Sequence, residues 1–180
     1  YLKIVASIAI IWSLFQLWYA SPFPFMLGVG LFKGLPARAI HLGFALLLAF
    51  LIFPASKKGR ISFKDVILAC SAFFACIYIY FFYDQIVDRG GILLDLNFNI
   101  FGNQFILPVE LLIGSFGIIA LLESTRRVIG TPLVIVAIAF LFFSFFGKYF
   151  PEIISHGGLS VKRLVGYHWF DQEAIFGIPI

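Results

Sequence analysis

Two long apolar stretches joined by five polar residues constrain this chain most. Residues 109–122 carry one charge, Glu110, near their start, and residues 128–146 carry none. At 1.5 Å per residue, each crosses about 30 Å of hydrocarbon once its flanking residues snorkel at the ends. Between them, Glu123-Ser124-Thr125-Arg126-Arg127 places two adjacent arginines that cannot rest in lipid. Adjacent cations in a short connection favour the cytoplasmic side of a membrane. The pattern predicts a membrane hairpin, and its orientation sets the direction of every other span.

Composition points the same way. A chain of 180 residues that is 62% hydrophobic and only 12% charged has too few charges to cover a soluble fold. Its mean hydropathy is +1.03. The 24 Phe suit lipid-facing helices with aromatic belts. The net charge of +4 is scattered between apolar stretches and forms no basic stripe. Nucleic acid is therefore excluded as a partner, and weak attraction to anionic membrane lipids is expected. Cys70 and Cys76 lie six positions apart in one stretch, about 120° apart on a helix, so a mutual disulfide is excluded and apolar packing is expected.

The remaining spans come in order along the chain. Residues 4–19 form the first, ending in the interfacial pair Trp18-Tyr19. Residues 21–38 mix prolines and glycines with Phe and Leu, as an interfacial or re-entrant connection does. Residues 35–53 form the second span and residues 66–83 the third, with Tyr78, Tyr80 and Tyr83 towards its far end. Between these two, Lys57, Lys58, Arg60 and Lys64 give the strongest positive-inside signal. Alternation then puts Arg126 and Arg127 on the same side as that loop, and Lys33, Arg38 and Arg89 on the other. Residues 84–107, the most polar part, read as an external loop with a short surface helix. Val161, Leu164, Val165 and Trp169 follow helical spacing and predict an amphipathic helix on the outer surface. The fold class expected is all-α integral membrane, with about five transmembrane helices plus that surface helix. The chain starts at Tyr1 and stops within an apolar segment, so it is expected to be a piece of a longer protein, with a first span that is retained.

Ionisable groups at membrane depth are the natural functional suspects. Glu110 follows Pro108 and reads first as a first-turn acid favoured by the helix dipole. Glu123 is spaced for ion pairs with Arg126 and Arg127. His41, His156 and His168 lack metal-ligand spacing and read as satisfied or interfacial histidines. Gly114 and Gly117, flanking Ser115, suit close helix contact better than catalysis. No dyad, triad or metal cluster emerges, so neither a catalytic residue nor a cofactor is expected.

The run Leu121-Leu122-Glu123-Ser124-Thr125-Arg126-Arg127-Val128-Ile129-Gly130-Thr131-Pro132-Leu133 resembles the hinge of fused permeases of tripartite ATP-independent periplasmic (TRAP) transporters of the TAXI subtype. The resemblance continues through Phe146-Gly147-Lys148-Tyr149-Phe150-Pro151, His156-Gly157-Gly158-Leu159-Ser160 and Glu173-Ala174-Ile175-Phe176-Gly177-Ile178-Pro179. It covers roughly residues 110–180; the earlier spans match in number and topology. It implies a secondary transporter in the bacterial cytoplasmic membrane that imports organic anions delivered by a periplasmic solute-binding protein. Residues 1–124 would be a small-subunit-like four-helix region, with the N-terminus cytoplasmic. Residues 125–180 would be the fusion helix and the start of the large permease domain. The resemblance puts the substrate site and the coupling ion, sodium or proton, beyond Ile180, in the remainder of the permease. On this reading Lys33, Arg38, Asp84, Asp88 and Arg89 are candidate docking residues for the binding protein, and Lys57, Lys58, Arg60, Arg126 and Arg127 determine topology. Two other classes fit the composition: an integral-membrane enzyme of lipid or envelope metabolism, and a structural membrane subunit.

Overall fold

The computed structural model describes residues 1–32, 34–56, 61–100 and 103–177. Lys33, Lys57, Lys58 and Arg60 lie outside the described residues. In chain order the elements are α1 (Leu2–Ala20), α2 (Phe23–Leu27), α3 (Gly34–Ile52), α4 (Phe63–Asp88), β1 (Leu96–Ile100), β2 (Asn103–Leu107), α5 (Val109–Val128), α6 (Thr131–Phe146) and α7 (Val161–Val165). A 3-10 turn, Gly147–Tyr149, extends α6, and a π turn, Gly166–Phe170, extends α7. Among the described residues, four helices are long and apolar enough to cross a membrane: α1, α3, α4, and α6 with its 3-10 extension. A fifth, α5, forms where the sequence expects a span, but Glu110, Glu123, Arg126 and Arg127 mark its two ends as polar.

The chain divides into two compact units, one up to Tyr83 and one from Asp84 on, with the boundary inside α4. In the first, α1 runs antiparallel to α3: the Tyr1 hydroxyl donates to the Leu51 carbonyl, and Gln16 bonds to His41. Small residues let α3 and α4 approach closely. A Cβ added to Gly43 would stand 3.2 Å from both Cys76 and the Phe73 ring. On α4, Ala69, Ala72, Cys76 and Ile79 recur at helical spacing and are wholly buried. Cys76 thus packs as expected, whereas Cys70 is exposed. The start of α4 is a capping box: Lys64 N–H meets Ser62 Oγ, and the buried Asp65 accepts from Ser62 N–H at 3.0 Å. Asp65 also accepts from Ala55 N–H at 3.2 Å, which ties the chain leaving α3 to the first turn of α4.

From the end of α4 onward four expectations change. The helix expected to end at residue 83 continues to Asp88, and the polar stretch after it holds a β-hairpin, not a surface helix. Its register pairs Leu96 with Leu107 and Ile100 with Asn103. The cause is visible in Leu96-Asn97-Phe98-Asn99-Ile100, where apolar and amide residues alternate with the period of a strand. The polar connection expected at residues 123–127 is instead helical. The chain turns at Ile129-Gly130, where Gly130 takes φ +115° and Pro132 opens α6. Finally, the apolar side of residues 161–170, expected to lie on the membrane surface, closes on α5 instead. Val165, Trp169 and Phe170 are buried, and a Cβ on Gly117 would fall within the Trp169 indole. The Gly114–Gly117 notch makes the close contact its spacing predicts, with a later segment of the chain as its partner.

Candidate functional site

The most structured polar site of the second unit grows from the end of α4. Gly90 and Gly91, at φ +59° and +86°, reverse the chain after Arg89. Arg89 bridges that turn, because its Nε donates to the Ile92 carbonyl at 3.2 Å while Nη2 forms an ion pair with Glu110. Glu110 lies in the first turn of α5 with its side chain 1% exposed. Its other oxygen accepts from Leu94 N–H at 2.6 Å, and its own N–H donates to the Leu94 carbonyl at 3.5 Å. The carboxylate is thus held by a guanidinium and a backbone amide, and residues 89–94 are strapped to the first turn of α5. Lys162 of α7 adds an ion pair with Asp95 at 2.6 Å, leaving Asp95 Oδ1 buried without a hydrogen-bond partner.

A carboxylate this buried and this fully engaged positions helices. Breaking such a pair leaves an uncompensated charge, whereas replacing both partners by apolar groups costs far less. The helix dipole correctly predicts where Glu110 sits, but Arg89 is what holds it there. Its sequence signal is a pair of opposite charges on either side of a Gly-Gly turn, and neither local spacing nor periodicity reveals that they meet.

Arg89, expected at the docking face, is therefore committed to Glu110, with a quarter of its side chain exposed. Asp84 and Asp88 lie one turn apart and exposed at the end of α4, and Arg38 is half-buried in α3. At the far end of α5, Arg126 bonds Glu123 through Nε at 2.7 Å and Nη2 at 2.8 Å, and Arg127 bonds it at 2.7 Å, as their spacing predicts. The hydrogen bond from Arg126 contributes most to holding the Glu123 carboxyl down at about 2, partial burial opposes it, and Arg127 adds to the lowering.

All three histidines carry structural hydrogen bonds, His168 through Nδ1 to the Leu164 carbonyl at 2.9 Å. His156 closes the C-terminus of α6: Nε2 meets the Phe143 carbonyl at 3.1 Å, and Nδ1 accepts from Gly158 N–H at 3.2 Å. These partners assign the proton to Nε2. Leu159 N–H takes up the Ser144 carbonyl at 3.0 Å, so residues 156–159 satisfy helix-end acceptors that would otherwise be orphaned. His41, in the first unit, joins Gln16 and stands edge-on to Trp12 at 5.1 Å. Gln16 is the lone amide in the uncharged run from Ile4 to Ala20, and that is the signal that finds this pair. Among the described residues, no group of three His, Cys, Asp or Glu side chains is placed to hold a metal ion. Comparison of the chain with protein families, curated proteins and solved structures finds no match.

Proposed function

We propose that this chain is the scaffold portion of a secondary-active permease of the TRAP type, importing organic anions handed over by a periplasmic solute-binding protein. In this reading α1, α3, α4 and α5 form the small-subunit-like region, and α6 is the fusion helix leading to the large domain. The five helices cross the bacterial cytoplasmic membrane alternately, with the N-terminus in the cytoplasm. The substrate and the coupling cation bind in the remainder of the permease, so residues 1–180 position and do not transport.

The observation that carries this reading is the α5–α6 hairpin. Two helices are joined by Ile129 and Gly130 alone, Arg126 and Arg127 stand at the turn, and the ordered residues from Leu121 to Pro179 resemble the fused permeases. The break at Gly130 lets the helices run back on each other, and the paired arginines favour the cytoplasm for the turn. The test is labelling of single cysteines in intact cells with an impermeant thiol reagent, on a background lacking Cys70 and Cys76. Ile129→Cys and Ile153→Cys suit it because the residues are 68% and 97% exposed. Ile129→Cys is expected to be protected until the cells are permeabilised, and Ile153→Cys to react at once. The same response at both positions overturns the topology and the transporter reading with it.

A further inference from the structure

The connection between α1 and α3 has the properties of a segment that lives in lipid. No charged residue occurs between Lys3 and Lys33. Phe23, Phe25, Met26, Leu27, Val29 and Leu31 are all exposed, Phe25 and Met26 to 78% and 75%. An aqueous loop does not present six large apolar side chains in nine positions without a polar partner among them. The backbone is adapted too. Pro24 brings no N–H to the first turn of α2, Phe23 N–H meets Ser21 Oγ at 3.4 Å, and Met26 N–H returns to the Pro22 carbonyl at 3.1 Å.

The segment also folds back along the helices. Gly30, at φ +67°, lies against the Trp18 indole, where an added Cβ would stand 2.8 Å from Nε1. The Phe32 ring then reaches Phe15 at 5.5 Å and Tyr80 at 5.8 Å. Phe15 is more than a turn before the end of α1, about 7 Å along its axis. The chain therefore leaves α1 at its Trp18-Tyr19 end and returns to the depth of Phe15 before α3 begins.

We propose that residues 21–32 are immersed in the headgroup–acyl boundary of the leaflet nearest Trp18 and Tyr19, with α2 lying in the plane of the interface and Phe25, Met26 and Leu27 among the acyl chains. The occupant of this apolar surface is lipid, because it is continuous with the flanks of α1 and carries no charge for a soluble partner to read. The inference rests on α1 and α3 spanning a bilayer but needs neither transport nor a particular orientation. It removes residues 23–31 from the aqueous face available to a docking protein.

The test uses the full chain in phosphatidylcholine–phosphatidylglycerol nanodiscs, on a background with Cys70→Ser and Cys76→Ala, carrying one nitroxide at Met26→Cys. Oxygen and a water-soluble nickel chelate compete to relax the label. Phe140→Cys on α6 and Ile153→Cys in the loop after it serve as references, and Phe25→Cys replaces Met26→Cys if that variant does not fold. The oxygen-to-nickel ratio at Met26→Cys is expected to be several-fold above that at Ile153→Cys and to approach that at Phe140→Cys. A ratio equal to that at Ile153→Cys puts the segment in water and overturns the proposal, and shielding from both reagents points to protein contact and overturns it equally. Nickel access at Phe140→Cys defeats the membrane reading itself.

Discussion

Glu110 shows how much one side chain depends on its partner. Its carboxylate is buried and satisfied by Arg89 and the Leu94 amide, so the energetic consequence turns on which group is removed. Arg89→Leu is expected to destabilise the protein by about 3 kcal/mol, because it strands a buried charge, and Arg89→Leu with Glu110→Leu to recover most of that loss. Thermal unfolding in detergent checks both, and a double variant no better than the single would show that the pair is not what holds the site. Gly117 is equally exacting for the opposite reason. A methyl group there meets the Trp169 indole, so Gly117→Ala is expected to cost roughly 1–3 kcal/mol by overpacking, measurable in the same assay. An unchanged unfolding temperature would mean that Trp169 has somewhere else to go.

At the scale of elements, helix ends and connections are where expectation and structure part. The α5 terminus is stabilised by the Glu123 fork. Its carboxyl sits at about 2 against an ordinary 4.5, so the folded state binds its proton less readily than the unfolded chain does. The contribution is therefore complete above about pH 4.5 and disappears as pH falls through about 2. Solvent screens the fork, so the effect stays below ~1 kcal/mol. The stability difference between wild type and Glu123→Gln is expected to be constant at neutral pH and to close between those limits, and a difference that grows on acidification would contradict the sign. The hairpin at residues 96–107 was hidden for a different reason. Its strands are five residues long and rich in amides, so the polar composition of the region outweighs an alternation too brief to stand out. The α5–α6 turn was displaced because charge is a guide to solvent and not to where a helix ends, and it is Gly130 that stops this one.

At the scale of the whole molecule, the proposed function makes a claim about the exposed end of α4. Asp88→Lys, which leaves the Arg89–Glu110 pair intact, is expected to weaken uptake at limiting binding protein about fivefold in proteoliposomes of the full permease, with the loss reduced at high salt. Uptake that is indifferent to this reversal removes Asp88 from the docking face. The long apolar helices, the small-residue notch on α5 and the ion pairs at its basic end were legible in the order of residues, because hydropathy, helical period and i, i+4 spacing are local quantities. The strap from Arg89 to Glu110, the seating of Trp169 in that notch and the capping of α6 by His156 each join residues far apart in the chain. Their energies come from burial and from hydrogen bonds that exist only after the backbone has closed, so the tertiary structure alone decided them.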